Sequence, residues 1–99
     1  MTRLALEFTP RFKRDYKAMA KHRDVGLLRE VFELIARNDL AAREELRRRH
    51  GMHRLSGRWS GSNECHVCNV GDWLLVWAAR DGVAVLQRTG THGQIFGRQ

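Results

Sequence analysis

The hydrophobic periodicity of this chain changes from helical to strand-like near residue 53, and that change restricts the folds it can adopt. After Asp24 the apolar residues recur at helical spacing: Leu27, Leu28, Val31, Leu34 and Ile35. From 53 onward there are short β-rich runs at 53–56, 63–70, 72–79 and 83–89, separated by glycine-containing gaps. Such short gaps are typical of hairpins. The second half therefore predicts an antiparallel β-meander.

The first half begins with a strand and a helix. Leu4, Leu6 and Phe8 alternate with polar or small residues, which is the period of a half-buried strand. Thr9 is a favourable N-cap and Pro10 a favourable first helical residue, so a helix begins there. Its apolar stripe, predicted to face the core, consists of Phe12, Tyr16, Met19 and Ala20. A cationic stripe, predicted to bind RNA, consists of Lys13, Lys17 and Lys21.

A second helix follows after a few residues. Asp24 can cap it and Asn38-Asp39 ends it, so the two helices are predicted to form a hairpin. Residues 41–49 favour a further short helix, which Gly51 ends. The whole chain, 1–99, is therefore predicted to be one α+β domain. It consists of an N-terminal strand, a two-helix hairpin, and an antiparallel β-meander packed on the helices.

The charge balance indicates a polyanionic partner. Eighteen Lys and Arg against eleven Asp and Glu leave a net charge of +7, and the sequence pI is near 10.7. A small domain this basic attracts nucleic acid, the ribosome or an acidic protein; the alternative is a basic surface without a specific role. The basic run Arg47, Arg48 and Arg49 is likewise either RNA-facing or a solvated helix end.

Two further features narrow the class of protein. No apolar run reaches the roughly 18 residues of a membrane span, and the N-terminus lacks a signal-peptide pattern. We therefore expect a cytoplasmic protein without a membrane partner. Cys65 and Cys68 form a lone Cys-x-x-Cys inside a β-like run, where the two sulfurs point to opposite faces. We expect buried or half-buried reduced thiols rather than a metal or redox site.

Histidines are concentrated in the second half of the chain, where Asp72 and Arg88 lie among them: His50, His53, His66 and His92. A metal-independent ribonuclease needs a base for the 2′-hydroxyl, an acid for the leaving 5′-oxygen, and a cation for the charge on the phosphorus. Histidine suits the first two tasks and arginine the third. The residue types needed for RNA cleavage are therefore present.

The strand register predicts that two of these side chains share one face of the sheet. If both hairpin turns have three residues, His66 lies opposite Val76 and Arg88 lies opposite Leu74. Because Leu74 and Val76 point to the same side, His66 and Arg88 do so too; a two-residue turn would separate them. Asp72 and His92 then fall near the same end of the sheet.

The segment 89–93, Thr-Gly-Thr-His-Gly, is the second feature that predicts a phosphate site. Glycines on both sides of His92 leave the backbone open to a phosphate. Phe96 follows four residues later, as either an exposed ring for base stacking or a core residue.

Several blocks of the second half resemble the YafQ group of the RelE/ParE toxin superfamily. The stretch 53–61, His-Arg-Leu-Ser-Gly-Arg-Trp-Ser-Gly, matches that group's His-x-Leu-x-Gly-x-Trp-x-Gly signature. Further matching blocks follow in the family's order at 65–67, 72–77, 88–92 and 95–97. The resemblance implies a RelE-like fold and a toxin of a type II toxin-antitoxin system. It also implies an endoribonuclease that cleaves mRNA in the ribosomal A site, without a metal or other cofactor.

The resemblance implies partners and catalytic residues as well. The partners are a cognate antitoxin, the ribosome and mRNA, and the toxin is monomeric alone and part of a higher oligomer with its antitoxin. His92 is the proton donor to the leaving oxygen, and His66 and Asp72 activate or hold the 2′-hydroxyl. Arg88 neutralises the charge on the phosphorus, and His53 supports the site.

Two aromatic residues, Trp73 and Phe96, are implied to shape or stack on the substrate. The hairpin tip between His66 and Asp72 is longer than the family's usual spacing, which leaves the position of Asp72 open. Two other functions also stay open: a ParE-like toxin that inhibits gyrase by protein contact, and a basic RNA-binding module or inactive toxin remnant.

Overall fold

Five strands and four α-helices, counted over residues 2–68 and 71–97 that the structure describes, form an α+β fold. In this computed structural model the elements follow the chain as β1 (Ala5–Phe8), α1 (Pro10–Met19), α2 (Val25–Arg37), α3 (Leu40–His50), β2 (His53–Arg54), β3 (Asn63–His66), β4 (Leu74–Arg80), β5 (Val83–Gly90) and α4 (His92–Phe96). The fold class is the predicted one; α3 is the further short helix favoured over 41–49, and α4 was not predicted. None of the helices in the described part is long and apolar enough to cross a membrane.

Side-chain caps set the helix boundaries. The Thr9 hydroxyl accepts a hydrogen bond from the Phe12 N–H (3.0 Å), and the Asp24 carboxylate caps α2 in a similar way. Asn38 ends α2 in the left-handed conformation, with a φ of 51°. Both helices therefore begin where the sequence predicted. Asp39 caps α3, so the segment after Asn38 is helical as favoured, and Gly51 ends it.

The first helix has one face on the core and one in solvent. Phe12 and Met19 are buried and Tyr16 is half-buried, as predicted. Ala20 is exposed, so its predicted core position is wrong; α1 ends at Met19 and the stripe ends with it. The side chains of the predicted cationic stripe are exposed: Lys13, Lys17 and Lys21. Lys21 lies in the turn after α1, so its predicted place on the helix is wrong.

The strands form one sheet in the order β1-β5-β4-β3-β2. Strands β2 to β5 pair antiparallel with their neighbours in sequence, which confirms the predicted meander. β1 pairs in parallel with β5, Ala5 opposite Val83, because the intervening chain provides the long connection that a parallel pair needs. β3 ends at His66, so the strand predicted over 63–70 is too long, and Asn69 and Val70 lie outside the described residues.

The register differs from the predicted one but keeps the predicted face. His66 lies opposite Leu74 rather than Val76, and Arg88 lies opposite Val76 rather than Leu74. Each pairing is displaced by two residues. Because side chains alternate with a period of two, His66 and Arg88 still share a face, as the sequence predicted.

The displacement of the Arg88 pairing has two separate causes. The β4–β5 turn contains two residues, Asp81 and Gly82, both with positive φ (52° and 80°), instead of three. This alone would reverse every side chain of β5 relative to the prediction. A register shift between Val76 and Trp77 leaves Gln87 without a partner in this pairing, and this one-residue shift restores the face.

Apolar side chains pack on both faces of the sheet. The main core joins α1, α2 and α3 to one face: Phe12, Leu28, Val31, Leu46, Leu75, Trp77 and Leu86. A smaller cluster lies on the other face, where alternate residues of β4 meet α4 and a loop: Leu74, Val76 and Ile95, with Leu55, Trp59 and Phe96 against them. The predicted packing on one sheet face therefore holds for α1 to α3 but not for α4.

The two cysteines both lie on the main core cluster. Cys65 is buried and Cys68 is half-buried, which confirms the predicted burial. Burial, with the nearby charge of Glu64, raises the pKa of the Cys65 thiol. Their predicted separation onto opposite faces is wrong, because β3 ends before Cys68.

Candidate active site

Asp72 and His92 form a closely bonded pair at one end of the sheet. The Asp72 carboxylate oxygens accept hydrogen bonds from the His92 backbone N–H at 3.0 and 3.2 Å, and one of them lies 2.7 Å from His92 Nδ1. His92 is the first residue of α4, which Thr91 caps with a reciprocal contact to Gln94. The predicted convergence of Asp72 and His92 is confirmed, and the capped turn fixes the backbone of His92.

The protonation of this pair follows from its contacts. An ionised carboxylate only accepts, so Nδ1 of His92 carries the proton that Asp72 binds. Desolvation opposes ionisation of Asp72. The hydrogen bonds from the His92 backbone and ring, with the charges of His92 and Arg23, outweigh it and lower the pKa of Asp72. The His92 side chain is 57% exposed, so its Nε2 remains available to a bound substrate.

His66 places a second imidazole beside this pair. Its ring centroid lies 6.2 Å from that of His92. The His66 carbonyl accepts a hydrogen bond from Nδ1 of the buried His50 (2.8 Å). Gly51 lies against the His66 ring, with a φ of 62°. The end of α3 therefore holds His66 in position. His50 was not predicted as a site residue, although it belongs to the histidines concentrated in the second half and directly precedes the helix-ending glycine.

Aromatic rings border the histidines on one side. The Phe96 ring lies 6.3 Å from the His92 ring and 5.8 Å from the Trp59 ring, which it meets edge to face. Both Phe96 and Trp59 are half-buried. Phe96 therefore combines the two alternatives left open by the sequence: it packs on the small cluster and borders the histidine pair.

Arg88 is held by other parts of the protein rather than presented to solvent. Its Nε and Nη2 donate to Asp15 of α1 at 2.7 and 3.2 Å, and the two side chains are 11% and 12% exposed. Nη2 and Nη1 also donate to the carbonyls of Gln94 and Ile95, at 3.1 and 3.4 Å. Arg88 thus links β5 to α1 and to the helix that carries His92. Sequence reasoning missed Asp15, which is 73 residues away from Arg88.

Trp73 is a core residue, so it cannot stack on the substrate, and its other implied role, shaping the site, stays a prediction. It is 1% exposed, and its indole N–H donates to the Thr89 hydroxyl (3.0 Å). Trp73 follows Asp72 directly, and its burial fixes the backbone from which Asp72 extends. The Arg23 guanidinium lies 5.1 Å from the Trp73 ring centroid and donates to the Asp72 carbonyl at 3.3 Å.

His53 lies on the neighbouring edge strand, opposite Glu64. Its Nδ1 donates to the Gly51 carbonyl (3.1 Å), and its Nε2 is 3.4 Å from Glu64. Glu64 is 4% exposed and precedes His66 by two residues, so it shares the face of His66. The sequence analysis missed this buried carboxylate; its signal was a charged residue at an inward position of a strand.

The whole arrangement can transfer protons. Two imidazoles lie side by side, and a carboxylate orients one of them. Within 2–68 and 71–97, no three His, Cys, Asp or Glu side chains are grouped so that they could hold a metal ion.

A family model described as "Bacterial toxin of type II toxin-antitoxin system, YafQ" matches residues 4–97. This chain belongs to the YafQ toxin family. It is 31% identical to the mRNA interferase toxin YafQ of Escherichia coli K12 over 93 residues, which are 93% of this chain and 95% of the relative. The resemblance inferred from the sequence blocks is therefore confirmed.

Solved structures of YafQ share the fold. The crystal structure of YafQ from E. coli BL21(DE3) has a TM-score of 0.81 and 29% identity, covering 95% of this chain and 99% of that one. A chain of the crystal structure of the E. coli DinJ-YafQ toxin-antitoxin complex has a TM-score of 0.80 and 30% identity, and the match covers 96% of this chain and 99% of that one.

The lysines predicted to bind RNA line other pockets of this YafQ-family fold. Lys13 and Lys17 line an apolar groove of about 360 Å³, together with Phe8, Phe12, Tyr16 and Phe32. Lys21 and Lys17 line a further pocket with Arg14. No hydrogen bond or ion pair among the described residues links these lysines to His66 or His92. Their contact with RNA stays a prediction.

The basic end of α3 is exposed and partly ion-paired. Arg47 lies 3.1 Å from Glu44, and Arg49 pairs with Glu45, one turn earlier on the helix. Arg47 also lines a pocket with His53. Surface pairs of this kind open at little cost, so they do not prevent Arg47 and Arg49 from binding RNA. An RNA-facing role for Arg47, Arg48 and Arg49 stays a prediction.

Proposed function

We propose that this YafQ-family toxin is an endoribonuclease that cleaves mRNA through attack of a 2′-hydroxyl on the adjacent phosphate. The observation that carries the proposal is the Asp72–His92 pair with the His66 ring 6.2 Å from His92. The E. coli relative named an mRNA interferase supports the same substrate. An acid and a base on one site are what this reaction requires.

His92 acts as the acid and His66 as the base. Asp72 holds Nδ1 of His92, so Nε2 faces the leaving 5′-oxygen and donates its proton there. His66 takes the proton of the 2′-hydroxyl. This assignment gives Asp72 the task of orienting His92 rather than of activating the 2′-hydroxyl. Phe96 borders His92, where a ring can stack on a base next to the scissile bond.

Arg88 acts first by positioning α4. It donates to the carbonyls of Gln94 and Ile95 near the end of the helix that carries His92, and Asp15 fixes its guanidinium. A direct contact with the reacting phosphate, as the family resemblance implies, requires Asp15 to release part of that guanidinium. His53 supports the face of His66 through Glu64.

The partners follow from the family and the charge. We propose that cleavage takes place on mRNA in the ribosomal A site, in the cytoplasm, and requires no metal ion. The E. coli YafQ structure with DinJ supports a cognate antitoxin that binds and neutralises this toxin. The net charge of +7 supports contact with ribosomal RNA and with an acidic antitoxin.

Primer extension on a defined mRNA tests the proposal. The wild-type protein should cut the mRNA in a translating extract. On stalled ribosomes, where free Mg²⁺ is held fixed to keep the ribosome intact, added EDTA should not slow the cut, because no tighter-binding metal ion takes part. His92→Gln should lower the cleavage rate by about 100-fold or more. Intact transcripts together with gyrase-dependent DNA damage would overturn the proposal in favour of a ParE-like activity.

A further inference from the structure

A polar cleft of about 480 Å³ lies between α1, the α1–α2 connection and the end of β5, beside the candidate active site. Its polar lining includes three arginines, one histidine and one aspartate: Arg11, Arg23, Arg88, His22 and Asp15. The lysines predicted to bind RNA are not among the described residues that line it. The cleft is therefore a separate basic surface.

The acid in this lining is already compensated. Asp15 accepts hydrogen bonds from Arg88 and from the Thr89 backbone N–H at 3.2 Å. Arg11 lies farther off, with its Nε 3.5 Å from Asp15 and its side chain 55% exposed. Arg88 neutralises Asp15, so the charges of Arg11 and Arg23 leave the cleft positive.

Arg23 connects this cleft to the catalytic pair. Its Nη2 donates to the Asp72 carbonyl at 3.3 Å, and its charge contributes to lowering the pKa of Asp72. Packing over the Trp73 ring holds its guanidinium in place. An arginine has five N–H groups, and this contact uses one of them. The guanidinium is therefore preorganised to bind an anion next to Asp72 and His92.

We propose that this cleft binds a backbone phosphate of the RNA adjacent to the nucleotide that is cleaved, with Arg23 and Arg11 as its ligands. The inference rests on the proposed ribonuclease function, and it assigns residues outside the histidine cluster. A guanidinium fork matches two phosphate oxygens. An RNA strand that places its scissile phosphate at His92 must continue past this end of the sheet, where Arg23 lies.

The salt dependence of RNA binding tests the site. A labelled single-stranded oligoribonucleotide is titrated by fluorescence anisotropy at several KCl concentrations, in a His92→Gln background that prevents cleavage. Loss of one phosphate contact should reduce the slope of log K against log [KCl] by about 0.7. Arg23→Gln and Arg11→Ala should each do so. Arg80→Ala is the matched control and should leave the slope unchanged, because Arg80 is an exposed arginine at the other end of β4 and outside the cleft lining.

The outcomes separate the two proposals. Arg23→Gln keeps an amide donor for the Asp72 carbonyl, and thermal melting verifies that each variant folds. Equal slopes for all variants and the background overturn the cleft, as does an equal loss in Arg80→Ala. A loss of antitoxin affinity without a change in RNA slope shows a protein-binding cleft and also overturns it. If the slope falls as expected but wild-type protein cuts no mRNA, the cleft stands as an RNA site and the ribonuclease function fails.

Discussion

Replacing Asp72 with asparagine tests whether this carboxylate acts through His92. Asparagine has nearly the same shape and keeps one oxygen, but it loses the charge and can present an amide N–H to Nδ1. A hydrogen bond to a charged group contributes about 1.5–3 kcal/mol. The His92 and Asp72 side chains are 57% and 48% exposed, so solvent screening favours the lower end, about 1.5 kcal/mol. The cleavage rate of Asp72→Asn should therefore fall by about tenfold.

The assay is single-turnover cleavage of mRNA on stalled ribosomes, with rates measured for wild type, Asp72→Asn, His92→Gln and the double variant. If Asp72 acts by orienting His92, the double variant should be no slower than His92→Gln alone. Asp81→Asn is the matched control, because Asp81 is an exposed aspartate in the other hairpin turn, where its φ of 52° suits asparagine.

Additive effects would refute this reasoning. If Asp72→Asn slows His92→Gln by the same tenfold, Asp72 acts on the substrate independently of His92. It would then have the role in activating the 2′-hydroxyl that the family resemblance implied. A rate unchanged from wild type would show that the bond seen between the two side chains does not contribute to catalysis.

Three further predictions concern the supports of the site. Asp15→Asn should lower the free energy of unfolding by about 3 kcal/mol, because it leaves the mostly buried Arg88 without its ionic partner; urea denaturation measures this. Trp73→Ala should cost about 3–5 kcal/mol by the same assay, and it should also weaken RNA binding by the folded fraction, because Arg23 loses the ring that holds its guanidinium. Phe96→Ala should lower cleavage at a smaller cost in stability. The folded-state pKa of Asp72 is lowered, so the stability that its ionised carboxylate contributes is present above the ordinary pKa of 3.8 and is lost as pH falls through the folded-state pKa. Asp72→Asn should lack that loss when stability is measured during an acid titration.

Local signals in the sequence predicted the helix boundaries well. An N-cap acts within three residues of itself, so Thr9 and Asp24 fix the starts of α1 and α2 whatever surrounds them. The sequence did not reveal the parallel pairing of β1 with β5, because that pairing depends on contacts across almost the whole chain. The unpaired residue Gln87 could not be predicted either. An extra residue in one strand is recognised only from the pairing with the neighbouring strand, and the sequence alone does not give that pairing.

The site residues that the sequence could predict are those whose side chains can transfer protons and whose order along the chain matches the family. Asp72 and His92 converge at one end of the sheet as predicted. His66 and Arg88 share a face as predicted even though the assumed register was wrong, because two displacements of two residues preserve the faces of the strands. Trp73 was misassigned because a tryptophan in a functional block can serve either the substrate or the backbone beneath it. Only the burial of the side chain decides between the two, and the buried Trp73 supports the backbone of Asp72.

The arginines show why composition alone could not locate the cation of the site. A net charge of +7 predicts that RNA is attracted, but not which guanidinium it meets. Helix α1 presents its lysines to one groove and Arg11 to another, so a single helix divides its charge between two surfaces. Arg88, the arginine that the motif singles out, has Asp15 as its partner, whereas Arg23 lies outside the matched blocks and beside Asp72. The Arg23 guanidinium, held over the Trp73 indole beside Asp72, is better placed to bind a neighbouring phosphate than Arg88, whose charge Asp15 already neutralises. If the proposed phosphate cleft is right, charge that attracts RNA and charge that positions it are supplied by different residues of this fold.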